Sequence, residues 1–177
     1  IMESELFVNN QSEFNTVIHA HEISNNITEI LSKKLKNELE GKCINDGYIK
    51  PNSIKIISKS MGRALVPFFN GDISYTVKYI ADVCNPVQDN IIKATVSTIT
   101  KMGILAYGGE NLENSPLNIL LAVQHHQDNE NFSKLQEKDI IYIKVLGKRF
   151  EYGDSQISII GLLVDTPDNA NNNKNKN

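Results

Sequence analysis

Two stretches of strict alternation mark the centre of the chain. In the first, Tyr75, Val77, Tyr79, Ala81 and Val83 fall on one side while Ser74, Thr76, Lys78, Asp82 and Cys84 offer mostly polar groups to the other; in the second, Ile92, Ala94 and Val96 oppose Lys93, Thr95 and Ser97. A period of two is the signature of a half-buried strand, so both are expected as strands. Asn85-Pro86 separates them, because proline has no amide to donate and pushes the residue before it into extended geometry. Gly103 follows the second and is expected to supply the bulge or bend that lets one strand serve both sheets of a small barrel.

Upstream, the period changes. Ile27, Ile30, Leu31, Leu35 and Leu39 recur at steps of three and four, with Lys33, Lys34, Lys36, Asn37 and Glu38 on the other faces. This predicts one strong helix, with Ser24 as N-cap and Gly41 as its stop, whose single apolar stripe must lie on a sheet. Leu6-Phe7-Val8 runs into polar Asn9-Asn10-Gln11-Ser12 and reads as an edge strand or extended arm. Short strands are expected at 42–44, 48–50 and 53–58, with Asp46-Gly47 as a tight turn and Pro51 excluding a central strand at its position. A turn-rich loop at 59–63 leads through an apolar run at 64–69 to Asn70-Gly71-Asp72. Met61, Phe68 and Phe69 there read first as buried in a small core, and alternatively as a partner surface.

Beyond Gly109 the chain reads as a polar loop at 110–115, a buried strand at 118–123, a strand at 139–146 with Ile141, Ile143 and Val145 on one face, a link through Gly147-Lys148-Arg149, and a last strand at 156–164. Five short strands from residue 91 onward, with a long connection before the fourth, fit a Greek-key barrel of the OB type. The fold class expected is α+β and mostly β: one helix on a small antiparallel sheet, followed by a five-stranded OB-fold barrel.

Composition narrows the chemistry. At 177 residues the chain holds one large or two small units, and two small ones would need a close interface to be stable. A net charge of -3 speaks against a protein whose main work is electrostatic attachment to nucleic acid. The two cysteines, Cys43 and Cys84, have no paired spacing, which excludes a zinc ribbon or disulfide scaffold and fits the reducing interior of a cell. No run of about 18 apolar residues is present, and the N-terminus has no signal-peptide pattern, so no membrane association or export is expected. Ile1 precedes Met2, which makes Met2 a candidate start. Asn and Ile are frequent in strands and loops alike, as a coding bias toward A and T would produce. The Asn-rich stretch at 167–177 has almost nothing to bury and is expected to be a disordered tail.

An ordered set of motifs carries a family resemblance. Glu40-Gly41-Lys42-Cys43, Gly47-Tyr48-Ile49, Met61-Gly62-Arg63, Pro67, Gly71, Val77-Lys78-Tyr79 and Lys101-Met102-Gly103-Ile104, then residues 139–149 and Gly161-Leu162-Leu163-Val164-Asp165, resemble in order and spacing the RNA polymerase stalk subunits. That family comprises an archaeal stalk protein and the seventh subunit of eukaryotic RNA polymerase II. The resemblance spans residues 24–165 and implies a tip domain over 1–84, an OB-fold domain over 85–166 and a tail over 167–177. It further implies a noncatalytic protein whose tip docks on core polymerase subunits, whose seam is clasped by a small helical partner, and whose barrel lies near the nascent RNA. The longer 110–115 loop, Pro51 and the Asn-rich tail depart from the family pattern. This divergence is similar to that of polymerase subunits of large cytoplasmic DNA viruses, though an AT-rich protist explains the bias equally. The implied location is intracellular: the nucleus, or for a viral protein the cytoplasmic virus factory and virion.

The candidate docking residues on the family pattern are Met61, Gly62, Arg63, Pro67, Asn70 and Gly71, with turn geometry as the plainer reading of the glycines and proline. The candidate RNA-facing residues are Lys93, Lys101, Tyr107, Lys144, Lys148 and Arg149, with His125 and His126 at the rim. Base stacking on an aromatic is worth about 1–3 kcal/mol, and a single aromatic in this set makes a thin platform. A freestanding OB-fold protein binding single-stranded RNA is the alternative reading, and a structural adaptor without RNA contact a third. His19-x-His21 and His125-His126 hint at metal, but a zinc site needs about four ligands in tetrahedral array. They read instead as surface histidines, with no metal or cofactor. No phosphate loop, nucleophile elbow or paired-carboxylate motif supports an enzyme.

Overall fold

The computed structural model describes residues 5–65 and 70–164. Its first sheet is organised on one long strand. The strands β1 (Val8–Ile18), β2 (Cys43–Ile44), β3 (Gly47–Ile49), β4 (Lys55–Lys59), β5 (Arg63–Ala64) and β6 (Ile73–Cys84) make a six-stranded sheet, with the helix α1 (Ile27–Leu39) after β1. β1 pairs antiparallel with the full length of β6, while β3, β4 and β5 follow one another along the opposite edge. The expected interruption falls where Pro51 lies, between β3 and β4.

The 12-residue β6 buries Tyr75, Val77, Tyr79, Ala81 and Val83 on one face, as its alternation requires. Against that face pack Leu31, Leu35 and Leu39 of α1, each essentially fully buried in the same core. The helix begins two residues later than the sequence predicts. Asn26 is its N-cap, accepting from the Glu29 amide at 3.3 Å while the Glu29 carboxylate accepts from the Asn26 side-chain amide at 2.9 Å; Ser24 only accepts from the Asn26 amide. Asn26 is favoured because its partner Glu29 returns a bond, as in a capping box. Gly41, at φ +70, follows the C-cap Glu40 and turns the chain out of the helix.

Three expectations for this unit need correcting. The edge strand expected at residues 6–8 is present but begins at Val8 and runs 11 residues as β1, whose polar Asn-rich sequence conceals its alternation until Thr16 and Ile18 are buried. The tight turn is at Asn45-Asp46, because Ile44 already pairs with Gly47. Gly47 is a strand residue at φ +126, where a Cβ would lie 2.4 Å from the Cys84 carbonyl oxygen, so close backbone approach accounts for the glycine. Arg63 is not in a loop but in β5, paired with Ser74.

The remaining strands, β7 (Ile91–Ile99), β8 (Gly103–Gly108), β9 (Leu117–Ala122), β10 (Ile140–Arg149) and β11 (Ile157–Leu163), close into a barrel in the order β7-β8-β9-β11-β10. All pairs are antiparallel except β9 with β11. Numbered from the first barrel strand this is the order 1-2-3-5-4 closing on 1, an OB-like Greek-key barrel. Its core is aliphatic, with Ile119, Leu121, Ile143 and Ile157 at full burial. The expected bend at Gly103 is made elsewhere. The extra residues are Ser97 in β7 and Leu146 in β10, where the register shifts, while Gly103 opens β8 at a point where a Cβ would lie 2.3 Å from the Leu121 carbonyl oxygen. Because β10 continues through that bulge, Gly147, Lys148 and Arg149 belong to a strand and not to a link.

The long connection before β10 contains a 3-10 turn and a short helix, α2 (Glu130–Ser133). His126 anchors it. Its Nδ1–H donates to the Ala122 carbonyl at 2.7 Å and its Nε2 accepts from the Leu163 amide at 2.8 Å, with the ring stacked on Phe132. The expectation of a surface histidine is therefore overturned: His126 is 3% exposed and its two ring nitrogens satisfy opposite backbone groups.

At the junction the first sheet turns its other face. Cys43, Tyr48 and Cys84 stand in one cross-strand row and are buried in the barrel core, with the partly buried Leu6 and Phe7 packed against it. The connecting residues are tied to β10, as the Asp89 amide donates to the Val145 carbonyl and the Val145 amide to the Asn90 carbonyl, each at 2.9 Å.

Candidate functional site

The docking candidates gather at the end of the sheet farthest from the barrel. β5 pairs with the start of β6, and the Leu65 amide donates to the Asp72 carbonyl at 3.1 Å, so Met61, Gly62 and Arg63 come beside Asn70 and Gly71. Met61 is 89% exposed, which corrects the expectation that it is buried. Gly62 lies against the sheet, where a Cβ would come within 2.6 Å of Ile73 and 2.8 Å of the Tyr75 ring. Pro67 and Phe68, Phe69 fall outside the described residues, as does the tail at 167–177.

Asp72, which sequence reasoning passed over, organises this end. Its carboxylate accepts from His19 Nδ1 at 3.0 Å, from the Ala20 amide at 3.2 Å and from the Asn70 side chain at 2.9 Å. The bond from His19 is the main influence holding this carboxyl below the usual range, with the Ala20 and Asn70 bonds adding to it. The segment after β1 is thereby pinned to the turn before β6. His19 stacks parallel on His21 at 5.8 Å, and both are exposed. Among the described residues no group of three or more His, Cys, Asp or Glu side chains is placed to hold a metal ion. No helix among them is long and apolar enough to cross a membrane.

On the barrel the six cationic and aromatic candidates do not form one patch. Lys93 points outward from β7 directly opposite Tyr142 of β10, and Tyr107 of β8 stands opposite Thr95, two residues along the same face. Lys144 shares that face and pairs with Asp89 at 3.3 Å. Lys101 lies in the turn between β7 and β8, at the other end of β7 from the junction. Lys148 reaches the junction itself and donates to the Asn85 side chain. Arg149 has only a loose ion pair with Glu151 at 3.8 Å. Tyr142 is the residue that sequence reasoning missed. Its strand was legible, but its position across from Lys93 depends on β10 closing the barrel against β7.

The buried thiols offer no reactivity. Desolvation, with a further push from Asp154, raises Cys43 to about 11; desolvation and the neighbouring Cys43 raise Cys84 to about 12. Both are neutral at physiological pH and shielded from solvent, so neither is a nucleophile.

What the geometry defines is a class: an α+β protein in which a helix-backed sheet is welded to a closed OB-like barrel, with an exposed tip at one end. No family model matches the chain. It is 24% identical over 169 residues to the DNA-directed RNA polymerase II subunit RPB7 of Glycine max, covering 86% of this chain and 89% of that one. It is 25% identical over 154 residues to the DNA-directed RNA polymerase II subunit 7 of Arabidopsis thaliana, covering 78% and 82%. Matches of that length take in both the sheet and the barrel, so the chain is similar to RNA polymerase II seventh subunits along most of its length.

Proposed function

We propose that this chain is a noncatalytic stalk subunit of a multisubunit DNA-directed RNA polymerase. The observation that carries the reading is similarity to plant RNA polymerase II seventh subunits across both structural units. In this reading residues 1–84 are the tip domain, 85–166 the barrel domain and 167–177 a tail. The tip docks on core polymerase subunits through Met61, Gly62, Arg63, Pro67, Asn70 and Gly71. The exposure of Met61 supports this, since an uncovered thioether beside a cation suits a partner surface. A small helical partner clasps the seam, and the barrel lies near the nascent transcript. The outer face that joins Lys93, Lys144, Tyr107 and Tyr142 combines cations with aromatic platforms and is the favoured RNA contact. The setting is the nucleus for a nuclear polymerase, and the virus factory and virion for a viral one.

Affinity purification of the full chain from cells that express it, with identification of the co-purifying chains, tests the reading. Recovery of large polymerase subunits is the expected result. Recovery with RNA and without those subunits would overturn it in favour of a freestanding RNA-binding barrel protein.

A further inference from the structure

The outer face of the barrel across β8, β9, β11 and β10 carries a groove that adjoins the tyrosine-lined face at Tyr107, opposite Asn118, and that the docking tip and the seam leave unused. Side chains alternate in and out along each strand. Leu120 lies between the fully buried Ile119 and Leu121, and Leu105 between Ile104 and Ala106, so both point away from the core. The register sets Leu105 opposite Leu120 and Leu120 opposite Ile160, which builds one aliphatic row across adjacent strands. Ile160 is 47% exposed. It faces Gly147 of β10, where a Cβ would meet nothing within 4 Å, so the row ends in an open notch.

A second row runs beside it, two residues along each strand. Asn118 stands opposite Ser158 and Ser158 opposite Arg149, all three exposed. The two rows line a cavity of about 450 Å³. Its floor is aliphatic and its margin polar and cationic. The floor has no aromatic ring; Tyr107 stands only at the β8 edge, across from Asn118, so the aliphatic row itself offers a nucleobase no platform on which to stack. Leucine, isoleucine or valine side chains would fill it, and apolar grooves of this kind mark protein contacts. The charge at the margin selects further. The Arg149 side chain is 86% exposed and its pairing with Glu151 at 3.8 Å is of little worth, so its guanidinium is available to a carboxylate with which it can form a forked pair.

We infer that this groove receives a segment of another protein in which aliphatic side chains stand beside an acidic one. The aliphatic groups cover Leu105, Leu120 and Ile160, and the carboxylate meets Arg149. This does not depend on the polymerase reading, since it rests on the barrel surface alone.

The test uses the full chain, amide resonances as readout, and three probes: a short leucine–glutamate peptide, its leucine–lysine counterpart, and an oligouridylate. The glutamate peptide is expected to shift amides confined to β8, β9, β11 and the end of β10. Arg149→Glu should weaken it about tenfold or more, and Ile160→Asp should abolish it while Ile160→Val, which preserves the fold and the apolar surface, retains it. No shift with the glutamate peptide, equal binding of the lysine peptide, or displacement of the peptide by oligouridylate would each overturn the inference.

Discussion

The backbone amide of Cys43 donates to the carbonyl oxygen of Asp154 at 2.7 Å, and the Gly153 amide returns a bond to the Cys43 carbonyl at 2.8 Å. The outermost strand of the first sheet is thus continued by a turn of the barrel between β10 and β11. Beneath that bond, the row Cys43, Tyr48 and Cys84 is buried in the barrel core. Any hinge motion between the units would break these bonds and wet three buried side chains. A shared core therefore sets the angle between tip and barrel, and the Asn85-Pro86 connection only bridges it.

The two thiols report on that core. Both have pKa values raised above the ordinary 9.0, so in the alkaline range the unfolded chain loses protons that the folded chain keeps. Stability is then full below about pH 9 and falls as pH rises toward 11 and 12. Urea midpoints measured from pH 8 upward should decline, and Cys84→Ala should flatten the decline. Thiol labelling at neutral pH should await unfolding; rapid labelling of the native protein would mean that the junction opens.

Leu35 is fully buried between α1 and β6. Leu35→Ala should cost about 2–5 kcal/mol in urea denaturation, from lost transfer and the cavity left behind. Asn26→Ala removes only the cap and should cost about 1 kcal/mol. Equal losses would count against the packing of the helix on the sheet.

His126→Phe preserves a ring beside Phe132 but removes the bonds to Ala122 and Leu163. Hydrogen exchange should accelerate at the Leu163 amide and through the connection around α2, with the first sheet unaffected. An unchanged Leu163 amide would show that the histidine does not hold the last strand.

Met61 and Arg63 are exposed, so replacing both with aspartate should leave the melting temperature nearly unchanged. The same variant should lose co-purification with polymerase. Retained co-purification would remove these residues from the docking surface.

On the barrel, Lys93→Glu should reduce crosslinking to RNA and lower the salt dependence of binding. Lys148→Glu should act differently, because Lys148 is bonded to Asn85 at the junction. Its expected effect is on stability more than on RNA. If Lys148→Glu impaired crosslinking and Lys93→Glu did not, the assignment of the RNA-facing side would be reversed.

Local patterns were readable because they depend on neighbours along the chain. The alternation at 75–83 and 92–96, the helical stripe of Leu31, Leu35 and Leu39, and the count of barrel strands all follow from which side of one element meets the core. The ordered motifs also pointed to the polymerase subunits that the chain is similar to, at an overall identity of 24–25%. The edge strand was expected at residues 6–8, but its extent through Ile18 escaped because an edge strand with one wet face accepts Asn, Gln and Ser at most positions, leaving little apolar signal.

What tertiary structure alone decided was which distant residues meet. Tyr142 stands across from Lys93 only because β10 closes on β7, and Leu105, Leu120 and Ile160 make a row only because β9 and β11 pair in parallel. His126 is buried because the end of β11 returns to the turn that holds it, and Cys43 faces the barrel because the last turn completes its hydrogen bonds. Each is a matter of register between strands far apart in sequence. A one-residue shift in that register would send every such side chain to the opposite face, so no single segment contains the information.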